Sequence, residues 1–253
     1  QFSKISDLSE WNIYSPLWAP VSLEKVNGKN WLTLSDKDPF DFAKAVRKIP
    51  ATKELKVSFD FRAEQADKGI FRIEFLDDKG IACSRLEFRP DSTFQAKGGS
   101  RWGGLMKYQA GKTYKIDIQL SVENRSIKVF ADGKQLGVRM FFAPVAAIER
   151  IVFSTGETNA FPTTETPADQ EYDLPNAGGQ DQLAVFRIAG LKTISLDNNA
   201  SAAVLKFADF RHYVDYFNSM ETENIVQAIP NSGSAAWMEK NIPLFECPQQ
   251  NFE

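Results

Sequence analysis

Between Glu54 and Phe153, apolar and polar residues alternate one by one in segment after segment. Leu55, Val57, Phe59 and Phe61 alternate with Lys56, Ser58, Asp60 and Arg62. Phe71, Ile73 and Phe75 alternate with Arg72 and Glu74, and Leu86 and Phe88 with Arg85, Glu87 and Arg89. Tyr114, Ile116, Ile118 and Leu120 alternate with Lys115, Asp117 and Gln119. Ile127 and Val129 flank Lys128, and Ile151 and Phe153 alternate with Arg150 and Val152. A period of two sends successive side chains to opposite faces, so each segment predicts a strand with one dry and one wet face. Asp78-Lys79-Gly80 and Asp132-Gly133 supply the turns that hairpins require. Several such strands at short spacing predict an all-β, antiparallel sandwich or jelly roll.

The flanking segments extend this reading. Trp11, Tyr14 and Trp18, with Pro16 and Pro20, predict a lead-in strand and a loop across the sandwich. Val21 to Val26 and Trp31 to Leu34 flank Asn27-Gly28, a hairpin signal. Phe42 to Ile49 predicts a strand closed by Pro50, and Leu183 to Ile194 one that closes the sheet. Residues 90–112, with Gly98-Gly99-Ser100-Arg101-Trp102-Gly103-Gly104, read as an irregular, glycine-rich excursion. Residues 155–182 carry Pro162, Pro167, Pro175 and Gly178-Gly179 without periodicity, as a long functional or poorly ordered loop does. After Asp197 the period changes: Val204, Phe207, Phe210, Val214 and Phe217 recur every three or four residues, one apolar face of a helix. The expected division is a β-sandwich over 1–196 and a helical linker, or the start of a following domain, over 197–253.

Composition narrows the function. The net charge of −3 gives no bulk attraction to nucleic acid or anionic membrane. No apolar run approaches the ~20 residues that span a bilayer. The opening Gln1-Phe2-Ser3-Lys4 resembles a mature chain after signal removal, or a trimmed one. The two cysteines, Cys83 and Cys247, permit a disulfide without requiring one.

Two stretches resemble known families. Leu34-Ser35-Asp36-Lys37-Asp38-Pro39-Phe40-Asp41-Phe42-Ala43-Lys44-Ala45, with Ile148-Glu149-Arg150-Ile151-Val152-Phe153-Ser154-Thr155-Gly156, resembles the concanavalin-like (laminin-G-like) β-sandwich regions of large secreted bacterial polysaccharide-degrading enzymes. Tyr216-Phe217-Asn218-Ser219-Met220-Glu221 through Asn241-Ile242-Pro243-Leu244-Phe245-Glu246-Cys247-Pro248 resembles the opening segment of six-hairpin, (α/α)6-type glycoside hydrolases. The resemblance implies a secreted, periplasmic or cell-surface bacterial protein. It also implies a following catalytic domain in the same polypeptide, with the catalytic acids beyond Glu253.

Candidate chemistry is sparse. His212 is the single histidine, which excludes multi-histidine zinc sites and leaves one poor candidate for a catalytic triad. The paired Glu-x-Asp-x-x-Glu pattern of sandwich glycosidases is absent. Glu74 and Glu87 would serve a hydrolase or lyase reading, but Arg72, Arg85 and Arg89 beside them favour cross-strand ion pairs. Asp36, Asp38 and Asp41 form a candidate calcium loop, and concanavalin-like modules often carry one structural calcium. The alternative is a turn whose carboxylates cap backbone amides. Arg101, Trp102, Lys107 and Tyr108 are the candidate sugar ligands: an aromatic ring stacks on a sugar face while Arg and Lys bond hydroxyls or carboxylates. The alternative for Trp102 is a ring folded back to plug the sandwich. The function expected is a non-catalytic, carbohydrate-binding-like accessory domain. Its alternatives are an enzyme with its own site and a purely structural domain packed on a catalytic toroid.

Overall fold

The computed structural model of the chain describes residues 7–26, 28–39, 41–156 and 182–197. Strands in these residues are β1 (Trp11–Tyr14), β2 (Val21–Val26), β3 (Lys29–Asp36), β4 (Lys44–Thr52), β5 (Glu54–Ala63), β6 (Phe71–Leu76) and β7 (Ala82–Phe88). They continue as β8 (Thr93–Gly98), β9 (Arg101–Lys107), β10 (Thr113–Ser121), β11 (Ser126–Ala131), β12 (Lys134–Met140), β13 (Ile148–Thr155) and β14 (Ala184–Ser195). No helix occurs among the described residues, so none there is long and apolar enough to cross a membrane. The predicted helix over Val204 to Phe217, His212, Cys247, the segment 157–181 and the (α/α)6-like stretch lie outside them.

The strands form two seven-stranded antiparallel sheets. The front sheet has the order β1-β4-β13-β6-β7-β8-β9 and the back sheet β12-β11-β10-β5-β14-β3-β2. β5 shows the expected alternation of buried and half-buried positions along all its residues. Its inward set meets that of β6, β7 and β14: Phe61 stacks on Phe88 at 3.8 Å between centroids, and Phe88 on Phe94 at 4.0 Å. Phe71, Phe153 and Phe186 complete the phenylalanine layer. Truncating any of these to alanine removes an aromatic payload worth about 3–5 kcal/mol. The hairpin at Asp132-Gly133 has both residues at positive φ, 50° and 80°, as a two-residue turn of matching twist requires.

Two expectations change here. Pro50 does not end its strand. β4 advances from Lys48 to Thr52 while β13 advances only from Arg150 to Ile148, and the proline falls in that bulge. A bulge is where a residue without an N–H is tolerated in a sheet. Residues 90–112 are not an irregular excursion: most of them are β8 and β9, the far edge of the front sheet.

Candidate functional site

The β8–β9 hairpin owes its existence to its inner side. Phe94 and Ala96 are buried in the core and set the inward phase of β8. Gln95 and Lys97 therefore point to the outer face, in register with Glu87 of β7 and Trp102 of β9. Two of the four glycines here, Gly98 and Gly103, serve packing. An ideal Cβ on Gly98 would lie 3.2 Å from Arg139 Cδ, and one on Gly103 2.6 Å from Arg139 Nε. Arg139, on the edge strand of the back sheet, thus lies against β9 and donates to the Gly104 carbonyl at 3.2 Å. Nothing stands within 4 Å of the ideal Cβ of Gly99 or of Gly104; Gly99 is at the turn with a φ of +57°, whereas Gly104 lies within β9.

Gly104 pairs with Gln95, and Trp102 with Lys97, on the same outer face. Trp102 is half-buried, and beside it Gly104 leaves bare backbone. Further in, Phe142 from the β12–β13 connection stands between two cations, with Lys97 Nζ 4.9 Å and Arg85 Cζ 5.5 Å from its ring centre. Lys97 is only 4% exposed, so it underlies the face rather than meeting solvent. The result is a strip with an aromatic wall (Trp102), an open floor (Gly104) and a polar side (Gln95). Gln95 holds its amide nitrogen 2.8 Å from Thr93 Oγ1.

The four residues expected to bind sugar do not form one group. Arg101 precedes Trp102 on the strand and so points to the opposite face. Lys107 is exposed opposite Thr93, on the outer side, roughly 16 Å along the strand from Trp102 at ~3.3 Å per residue. Tyr108 is 2% exposed, and its hydroxyl donates to the Arg89 carbonyl at 2.8 Å. Its ring meets Phe88 edge-on, and burial raises the pKa of its phenol well above the ordinary value. Tyr108 is therefore a core residue and corrects the expectation of a ligand contact. Gln95 and Phe142 do not stand out in the sequence, although Gln95 lies in the outward phase between Phe94 and Ala96.

The three aspartates act on their own turn. Asp36 Oδ1 accepts the Asp38 N–H at 2.9 Å, and Asp38 Oδ1 the Asp41 N–H at 3.2 Å. Asp41 accepts the Phe42 N–H at 2.9 Å and the Tyr14 hydroxyl at 2.6 Å. No group of three His, Cys, Asp or Glu side chains suited to a metal occurs among the described residues. The arrangement fits the capping alternative.

Glu74 and Glu87 each face an arginine directly across the β6–β7 ladder. Arg85 meets Glu74 at 2.7 Å and Arg72 meets Glu87 at 2.9 Å, while Arg89 reaches Glu87 at 3.0 Å. Burial pushes the Glu74 carboxyl up, but the charges of Arg85 and Arg72, the Arg85 hydrogen bond and Lys44 outweigh it, so its pKa is lowered. A carboxyl held ionised in this way is a poor general acid.

The family model described as Sialidase-like, CBM domain matches residues 11–170. The chain belongs to this family. A solved structure described as a sialidase is 63% identical, with a TM-score of 0.70, over 93% of this chain and 21% of its own. The chain thus spans about a fifth of that sialidase. A Crh5 transglycosylase, at 12% identity and a TM-score of 0.53 over 79% of this chain and 83% of its own, shares the fold alone. A search of the curated proteins found no match. This Sialidase-like CBM domain is a β-sandwich of the kind that accompanies glycosidases, as the concanavalin-like resemblance implied.

Proposed function

We propose that the chain is a carbohydrate-binding accessory domain of an extracellular glycosidase and holds glycan on the outer face of the front sheet. A sugar ring lies on the bare backbone of Gly104 against Trp102, with Gln95 bonding its hydroxyls and Lys107 meeting charge further along the chain. The observation that carries this reading is the pairing of a half-buried tryptophan with an open glycine on one strand face. Membership of the family supports the ligand class. The ion pairs at Glu74 and Glu87 weigh against a catalytic role for the domain itself. In this reading the catalytic groups belong to another part of the parent protein. Because the similar protein is described as a sialidase, sialylated glycans are the first ligands to try.

One aromatic wall and a few polar groups support weak binding, with a dissociation constant on the order of 0.1–1 mM, once ordering costs are subtracted. Calorimetric titration of the full chain with sialylated, uronate-containing and neutral oligosaccharides tests it. Binding that falls at least tenfold in Trp102→Ala is expected. Binding unchanged by Trp102→Ala would move the site elsewhere, and no binding to any glycan would leave a structural domain.

A further inference from the structure

β9 is an edge strand, and its only strand partner among the described residues is β8. The inward positions of β8 are Phe94, Ala96 and Gly98, and Gly103 of β9 pairs with Ala96 on the same side. Phe94 and Ala96 reach the core, but Gly98 and Gly103 send no side chain inward. Next to Trp102, therefore, the inner side of the hairpin is bare backbone. Few apolar contacts and two glycines leave such an edge free to shift unless something else holds it.

Arg139 fills that space from the back sheet. Its neighbours on β12, Val138 and Met140, are exposed on the outer face, so Arg139 points inward. An ideal Cβ on Gly98 would lie 3.4 Å from Arg139 Cβ and 3.2 Å from its Cδ. One on Gly103 would lie 2.6 Å from Nε and 2.7 Å from Nη2, and one on Gly137 3.2 Å from Nη1. Glycines on three strands thus leave room for one side chain, with its stem under Gly98 and its head under Gly103. The head donates from Nη2 to the Gly104 carbonyl at 3.2 Å and from Nη1 to the Val138 carbonyl at 2.9 Å. One planar fork therefore ties the edge of the front sheet to the edge of the back sheet. Gly104 is the open floor beside Trp102, and the fork holds that floor by its own carbonyl.

We propose that Arg139 is the positioning residue of the Trp102–Gly104 strip: from behind, it fixes the height and tilt of β9 at which the floor lies against the tryptophan wall. It acts through Gly104 and stands on the inner side of the strand, away from the outer face. That a glycan feels this support rests on the reading of the strip as the binding site; the support itself rests on packing and two hydrogen bonds. A hydrogen bond contributes about 1 kcal/mol net, so losing this hold should weaken glycan binding roughly fivefold.

The test compares the full chain with Arg139→Leu, Gly103→Ala and the double variant. Each is titrated by calorimetry with the tightest-binding oligosaccharide of the panel, melted, and followed without ligand by amide relaxation dispersion. Arg139→Leu keeps an apolar stem without donors, and Gly103→Ala displaces the arginine head. Each should lose affinity roughly fivefold at a melting midpoint close to that of wild type, with new exchange confined to residues 95–107. Both substitutions break the same contact, so the double variant should bind no more weakly than Arg139→Leu alone. Full affinity with a quiet β9 in Arg139→Leu would overturn the proposal. So would additive losses in the double variant, or an affinity that falls only in step with the melting midpoint, as a merely structural residue would give. Gly103→Ala keeps the test decisive if Arg139→Leu folds poorly. A wild-type chain that binds no glycan would defeat the glycan reading, and the ligand-free relaxation would still decide whether Arg139 holds β9.

Discussion

Arg139 occupies the space that a side chain on Gly103 would need, with its Nε 2.6 Å from the ideal Cβ position. The contact links β12 and β9, edge strands of opposite sheets. It explains much of a glycine-rich stretch that in sequence looked open for a ligand.

The glycines therefore differ in what they tolerate. Gly103→Ala displaces the far end of a flexible side chain and should cost at most about 1 kcal/mol, that of a hydrogen bond to the Gly104 carbonyl. Gly69→Ala runs into the Ala184 Cβ and sits at a φ of +68°. Left-handed backbone costs roughly 1–2 kcal/mol and overpacking about 1–3, so a loss of about 2–5 kcal/mol is expected. Urea denaturation of both variants checks the contrast, and equal losses would contradict the packing account.

Glu74→Gln should destabilise by about 3 kcal/mol, because Arg85 loses the carboxylate it faces in a mostly buried place. The double variant Glu74→Leu/Arg85→Met should recover most of that. The folded pKa of Glu74 lies below its unfolded value, so its contribution is present above about pH 4.5 and is lost as pH falls through the folded value. Wild type and Glu74→Gln should therefore converge in stability on acidification.

Glu149 shows the opposite sign. Burial and then the Asp78 charge raise its pKa against Lys48 and Arg150, and its Oε2 is buried without a hydrogen bond. A raised carboxyl contributes stability that is full below the unfolded pKa and is lost as pH rises through the folded one. At neutral pH the ionised group is a burden. Glu149→Gln should raise stability by about 1 kcal/mol at pH 7, and the gain should shrink towards pH 4. A loss at pH 7 would show that the charge is needed where it stands.

Calcium and a chelator should give the same melting midpoint, since Asp36, Asp38 and Asp41 are engaged with amides and a tyrosine. A bound ion at a hundredfold excess over its dissociation constant would add about 2.7 kcal/mol, which melting would register plainly.

The strands with strict alternation were legible because burial on one face writes a period of two. β8 and β9 were not, because glycine carries no hydrophobic signal and Gly98, Gly103 and Gly104 interrupt the pattern. The arginine that explains two of them, Arg139, is distant in sequence. Tyr108 was misread for a related reason: a tyrosine beside a lysine looks like a polar loop pair until its hydroxyl is seen on the Arg89 carbonyl.

The central claim is that glycan lies on the floor beside Trp102, and Gly104→Val tests it most directly. Nothing stands within 4 Å of the new Cβ, so the fold should be unchanged. The added side chain would fill the space the sugar needs. Titrating the tightest-binding oligosaccharide of the panel into wild type and Gly104→Val by calorimetry should show the same melting midpoint and at least a tenfold loss of affinity. Binding that is unchanged in a properly folded Gly104→Val variant would contradict the account.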